Sequence, residues 1–313
     1  MKQILIKTLL IIASVVMLIS IGIIIGLNIQ FERKSPEFVM VHSERTMDMA
    51  YEGQMVKDNF WKFVDASYIT VGDRPDCLFY KIASEVPRHH FNLENFYIED
   101  DESVMHYHDD EGNKLSKIVI DISEYQQYID WEAVKSAGVD MAIMRVGYRG
   151  YGTGKMVEDA MFRQHVTEAT EAGLRVGVYF FSQAISYEEG IEEAQFVLDI
   201  IKEYEIKGPV AIDTEYVDSA EARTYGLDVT SRTDSVVGFC ETVKAAGYIP
   251  MVYSNRNWFV QCLDMSRLGE YKLWLAQYSN APNFPYFFSG WQYTDQGNIA
   301  GINGNVDLNV WVE

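Results

Sequence analysis

The sequence predicts an α/β protein. We expect an irregular β/α barrel of eight strands and about five helices, preceded by a transmembrane helix and a small juxtamembrane α/β region. Three observations carry this expectation. Apolar strand-like runs recur from residue 117 onward and alternate with helix-like segments, the pattern of a parallel sheet with helices outside it. Eight such runs are present, the number that closes a barrel around a filled interior. Near the start, residues 9–27 form 19 consecutive residues without a charge, the length that crosses ~30 Å of hydrocarbon as a helix.

Taken in order, residues 1–7 read as a cytoplasmic tail and 8–27 as a transmembrane signal anchor. A cleaved signal peptide has a shorter apolar core and an A-x-A-like site, and neither is found. Lys2 and Lys7 precede the span while Arg33, Lys34 and Arg45 follow it, so the positive-inside rule does not orient it. Residues 28–117 read as a juxtamembrane stalk or small accessory module, with a helix within 45–68 and short strands around turns at 100–101 and 111–113. His106 and His108 flank Tyr107 there, and we expect them solvated on an exposed hairpin, with no metal bound.

The barrel is expected over 118–313. Its strand-like runs are 117–123, 141–148, 175–182, 209–215, 249–255, 272–278, 290–294 and 305–311. Helix-like segments follow the first five, at 130–138, 158–173, 186–204, 231–247 and 256–268. The third opens on Ser186 with Glu189 three residues on, a capping-box spacing, and the fourth ends at Gly247. After residue 278 no helical pattern remains.

Composition limits function. The formal charge is −20, from 46 acidic and 26 basic residues, which argues against nucleic acid as a partner because such affinity rests on Lys and Arg. Cys77, Cys240 and Cys262 lack metal spacing and read as packing residues, with a Cys240–Cys262 disulfide as the alternative. There is no H-E-x-x-H and no Ser/His/Asp or Cys/His arrangement. No cofactor is expected.

Candidate chemistry gathers at the strand ends, where barrels of this kind place it. "PVAIDTEY" sets Asp213 and Glu215 two residues apart, on one side of a strand, and like charges do not gather for stability. Asp121 ends the first barrel strand and Asp307 lies in the last. Tyr179, Phe181, Tyr253, Trp274, Gln277, Tyr278 and Trp291 occupy matching positions on the others. Carboxylates with aromatic and amide side chains around one mouth suit a sugar site, where rings stack on pyranoses and paired acids split a glycosidic bond.

The motifs "IDISEYQQYIDW", "MAIMRVGYRGYGTG", "VGVYFFSQA", "PVAIDTE", "PMVYSN", "LWLAQY" and "WQYTDQGNIAGINGNVDLN" resemble, in order, those of glycoside hydrolase family 25 lysozymes. The resemblance covers about residues 118–313. It implies a β/α barrel with fewer helices than strands and N-acetylmuramidase activity on the β-1,4 bond from N-acetylmuramic acid to N-acetylglucosamine. By position, Glu215 matches the family's general acid, Asp213 its partner, Asp121 the acid of the first strand and Asp307 that of the closing motif. Tyr179, Tyr253, Trp274, Gln277, Tyr278 and Trp291 would line the groove by the same resemblance. Many relatives carry His where this chain has Tyr125, before Gln126. The spacing of the acid pair leaves retention and inversion both open. Peptidoglycan as substrate would put residues 28–313 outside the cell membrane, in wall turnover. The alternative is a non-catalytic glycan-binding envelope protein on the same barrel.

Overall fold

The computed structural model describes residues 54–98 and 104–312. The expected tail, the anchor over 8–27 and the first part of the stalk lie outside these residues. Among the described residues no helix is long and apolar enough to cross a membrane.

The chain divides into two compact units at Phe79/Tyr80. In the first, helix α1 (Gln54–Ser67) runs into strand β1 (Tyr68–Val71), which pairs with β2 (Leu78–Lys81). Trp61 stacks on Phe79 at 6.2 Å, and Arg74 lies 4.2 Å from the centre of the Trp61 ring.

The second unit opens with the hairpin β3 (Phe96–Ile98) and β4 (Met105–Tyr107), then enters the barrel. In chain order the barrel runs β5 (Lys117–Ile122), α2 (Trp131–Ser136), β6 (Met141–Arg149), β7 (Met156–Glu158), α3 (Phe162–Glu171), β8 (Arg175–Phe181) and α4 (Tyr187–Ile201). It continues with β9 (Val210–Asp213), α5 (Val229–Ala245), β10 (Pro250–Asn255), α6 (Arg256–Cys262), β11 (Lys272–Ala276), β12 (Gly290–Gly297) and β13 (Val306–Trp311). The sheet order β5-β13-β12-β11-β10-β9-β8-β6 closes through β5 and β6. β7 is a short antiparallel addition on β6.

One strand departs from the expected parallel sheet. β13 is antiparallel to both neighbours, because the short connection after β12 holds no crossover helix, and a parallel return needs one of about a dozen residues or more. Its first residues therefore lie at the mouth where the other strands end, and Asp307 is the register partner of Asp121.

Helix signals read from sequence act locally. The Ser186 side chain caps α4 by accepting from the Glu189 N–H at 3.3 Å. Glu189 itself turns to the Ile185 N–H and takes a two-pronged pair with Arg223 at 2.7 and 2.8 Å. Helix α5 begins two residues before the expected Ser231, under an Asp228 cap. Gly238 allows α4 and α5 to touch: a Cβ there would lie 2.3 Å from the Tyr187 carbonyl oxygen.

The compact unit that holds the barrel begins at Tyr80, not at the 117/118 boundary expected of a separate module. No helix follows β11 or β12, so the outer face of β12 needs another cover. Residues 80–98 and 104–116 supply it. Phe96 meets Trp291 edge-on at 5.3 Å, Phe91 packs on Phe288 at 5.1 Å, and the Met105 N–H donates to Tyr293 Oη at 3.0 Å. His106 and His108 are accordingly buried, not solvated, with His108 stacked on Tyr97 at 4.3 Å. Residues two apart on a strand share a face, and here that face is covered. All three cysteines are free, so the alternative disulfide is not formed.

The barrel interior is filled by Val119, Met141, Ile143, Ala211, Met251, Trp274 and Trp311, with Tyr179 and Tyr253 packed against them. It is a plug of side chains, and it forms the floor of the mouth above.

Candidate active site

Asp121 stands at the centre of the mouth. Burial raises its pKa to about 6, against the pull of hydrogen bonds from Asn309 and Gln292. The Gln292 amide Nε2 donates to both carboxylate oxygens, at 3.2 and 3.0 Å, and Asn309 Nδ2 donates to one at 2.8 Å. Asn309 Oδ1 in turn accepts the Trp274 indole N–H at 2.6 Å.

Asp307 faces Asp121 across the β5/β13 ladder. Burial, then repulsion from Asp121 and Asp295, pushes its pKa up to about 8. It therefore keeps its proton at neutral pH and shares it with Asp121 in an acid–carboxylate contact.

Asp213 closes β9 and is buried. Glu215 lies two residues past the strand end, where the Thr214 backbone is held to β10 by its N–H on the Tyr253 carbonyl and by Ser254 Oγ on its own carbonyl. That hold keeps Glu215 on the Asp213 side. Burial raises both pKa values, with repulsion from Glu215 adding to the rise at Asp213 and repulsion from Asp121 to that at Glu215, and the two side chains hydrogen-bond to each other. Such a pair shares one proton. Asp213 is the deeper member and Glu215 the half-buried one that opens to the mouth.

Around these acids stand phenols that remain protonated. Burial, then the charge of Asp121 for Tyr179 or of Asp213 for Tyr253, holds their pKa well above the ordinary value. Tyr253 and Tyr278 both donate to Gln292 Oε1, at 2.9 and 3.1 Å. Phe181 is half-buried and is the register partner of Asp213. Arg145 supplies a nearby cation, tied to Asp159 at 2.7 Å and Glu124 at 3.0 Å, with the exposed Tyr125 ring 5.4 Å away.

Three sequence-predicted groove residues are placed otherwise. Trp274 points inward but is 1% exposed; its indole is taken by Asn309 and packed by Tyr253 and Trp311, so it is floor and not wall. Trp291 points out of the barrel, donates to the Gln277 carbonyl at 2.8 Å and lies under Phe96. The Gln277 amide pins its own loop, donating to Ser279 Oγ and accepting from the Asn283 N–H.

Gln292 was placed at the mouth with Trp291 by its position on the seventh strand, while Asn309 and Arg145 were not singled out from sequence. Asn309 is two residues from Asp307 and Arg145 interrupts an apolar strand, and both are readable signals. What the sequence did not separate was which of Trp291 and Gln292 faces inward, since residues 290–293 are buried on both faces.

Comparison with known proteins places this site in a family. Residues 120–302 match the family described as Glycosyl hydrolases family 25. The chain is 27% identical over 195 residues to an autolytic lysozyme of Clostridium acetobutylicum, covering 62% of this chain and 55% of that protein. It is 28% identical over 200 residues to lysozyme M1 of Streptomyces globisporus, covering 61% and 66%. The chain thus spans little more than half of the first relative's length. Among solved structures, the modular autolysin LytC from Streptococcus pneumoniae, in complex with synthetic peptidoglycan ligand, is similar with TM-score 0.58 and 25% identity, over 79% of this chain and 61% of that one. A family 25 glycosyl hydrolase from Bacillus anthracis shares the fold at TM-score 0.54 and 21% identity, over 68% of this chain and 95% of that one.

Proposed function

The chain belongs to family 25 of the glycosyl hydrolases, and on that premise we propose that it is a lysozyme. It would cleave the β-1,4 bond between N-acetylmuramic acid and N-acetylglucosamine in peptidoglycan. The observation that carries the reading is the Asp213/Glu215 pair at the end of β9, both held above the ordinary carboxylate range beside a mouth lined by phenols. A glycosidase needs one carboxyl that is still protonated near neutral pH.

The mechanism we propose is retention assisted by the substrate's own 2-acetamido group. When the acetamido N–H donates to Asp213, it favours the Asp213 anion, and the shared proton moves to Glu215. Glu215 then gives that proton to the leaving glycosidic oxygen as the C1–O bond breaks. The acetamido carbonyl oxygen bonds to C1, and the positive charge develops beside Asp213. Water next attacks C1, Glu215 takes its proton, and the acetamido oxygen leaves. The product keeps the β configuration. Asp121 and Asp307 flank this centre and maintain its charge.

Peptidoglycan lies outside the membrane, so the reading also proposes residues 8–27 as a single-pass anchor with the catalytic unit extracellular and engaged in wall turnover. The uncharged run at 9–27 supports this.

The test is digestion of purified peptidoglycan, borohydride reduction of the fragments and mass spectrometry. Reduced muramic acid ends are expected, and reduced glucosamine ends would assign a different bond. NMR in early turnover should show a β-configured first product; an α product would remove the acetamido-assisted route.

A further inference from the structure

We propose that Gln292 is a positioning residue that keeps Asp121 ionised beside the protonated Asp307 and the proton-sharing Asp213/Glu215 pair, and thereby sets where the site's protons sit. The inference rests on the glycosidase reading above and adds a residue to it. Its basis is the one-way wiring of the amide. The two phenols of Tyr253 and Tyr278 converge on Gln292 Oε1, which fills both lone pairs of that oxygen. Its Nε2 is left with hydrogens only, and these span both oxygens of Asp121. An amide turned the other way would set its oxygen against a carboxylate and face two hydroxyls with a donor.

Asn309 is locked in the same sense from the opposite side. The Trp274 indole can only donate and does so to Asn309 Oδ1, so Nδ2 faces Asp121 and the Val119 carbonyl. Asp121 thus accepts from two amides that cannot reverse. Donors aimed at a carboxylate favour its charged form.

The charge so fixed acts on every group around it. Asp307 faces it from β13, with Asp295 of β12 acting on Asp307, while Asp213 and Glu215 face it from β9 and the segment after it, and Tyr179 from β8. Tyr253 comes from β10 and Tyr278 from the segment after β11, and Arg145 on β6 is the counter-cation. An anionic Asp121 holds protons on Asp307 and on the Asp213/Glu215 pair. Tyr278 is exposed at the rim, so the chain Tyr278–Gln292–Asp121 runs from the groove surface to the buried acid.

The experiment uses the full-length protein and its Gln292→Met variant. The first measurement is the pH dependence of kcat and of kcat/KM on peptidoglycan fragments. Without the amide, Asp121 takes up a proton at higher pH and its neighbours lose theirs at lower pH. The bell should narrow from both sides by about one pH unit each, with kcat down about 10- to 100-fold and KM within about 3-fold. Unmoved limbs with only KM raised would make Gln292 a substrate contact and overturn the proposal.

The second measurement is a 13C-carboxylate titration of aspartate-labelled protein, with the Asp121 signal assigned by Asp121→Asn. Its midpoint should rise by about one pH unit in Gln292→Met, and an unmoved midpoint overturns the proposal. This arm needs no turnover, so it decides the role of Gln292 even if the wild type releases no fragments and the glycosidase reading fails. Should Gln292→Met not fold, Gln292→Leu also removes the donors and adds no charge beside Asp121. The same upward shift is then expected, and its absence equally overturns the proposal.

Discussion

Replacing Asp307 by Asn should stabilise the protein, and only at neutral to alkaline pH. The Asp307 carboxyl has an ordinary pKa of 3.8 and one of about 8 in the fold, raised by burial and by the repulsion of Asp121 and Asp295. A carboxyl whose pKa is raised on folding contributes stability that is fully present below its unfolded value. That contribution is lost as pH rises toward its folded value. The interval between 3.8 and about 8 is about four pH units, and at about 1.36 kcal/mol per unit the upper bound is about 5–6 kcal/mol. Solvent at the mouth and proton sharing with Asp121 reduce this to about 2–3 kcal/mol at pH 8. Asparagine resembles the protonated acid and can still donate to Asp121, so it should not disturb the site's shape. Urea denaturation of both proteins at pH 4.5 and pH 8 is the assay. The gap should be under about 1 kcal/mol at the lower pH and about 2–3 kcal/mol at the higher one. A gap of the same size at both pH values, or a less stable variant at pH 8, would refute the reasoning.

Other outcomes follow from the same contacts. Arg149 pairs with the fully buried Glu193 at 2.8 Å, so Arg149→Met should lose about 3–5 kcal/mol by stranding a buried carboxylate. Adding Glu193→Gln should recover part of that loss, as read from thermal melts of the single and double variants. Phe96→Ala uncovers Trp291 and should lower barrel stability by about 3–5 kcal/mol. A single cooperative transition shifted as a whole would support residues 80–98 and 104–116 as barrel cover, whereas an unshifted main transition would mark them as separate. Trp274→Phe keeps most of the floor's volume but removes the donor to Asn309. It should cost about 1–3 kcal/mol, measured by denaturant melts at constant pH. Alkaline carbonate should leave the full chain in the membrane pellet and release a version lacking residues 1–27; release of both would remove the anchor.

The convergence of Asp121, Asp213, Glu215 and Asp307 was legible because each closes or opens an apolar run, and the barrel rule converts strand ends into one mouth. Asp307 reached that mouth by a route not expected, through a strand running the other way. The aromatic assignments were less legible. Alternation reveals a strand's inner face only where one face is polar, and Gly290, Trp291, Gln292 and Tyr293 are all buried, so Trp291 and Gln292 were both set at the groove although only Gln292 faces it. Trp274 was given the correct side but the wrong depth, since depth depends on stagger between strands far apart in sequence. The role of residues 80–98 and 104–116 was hidden for a related reason. Their apolar side chains answer a gap in the helical layer that exists only once the barrel has closed.

The central claim is that the acids ending β9 cut a glycosidic bond. The most direct measurement compares peptidoglycan release by the wild type, Glu215→Gln and Asp213→Asn, with wall binding followed in parallel by pelleting. Wild type should release muropeptides with muramic acid ends. Both variants should still pellet with the wall while release falls by about 100-fold or more, as for loss of a general acid or its charge partner. Release by Glu215→Gln at the wild-type rate would contradict the account. So would wall binding with no release by the wild type, which would make the acids a binding site on the same barrel.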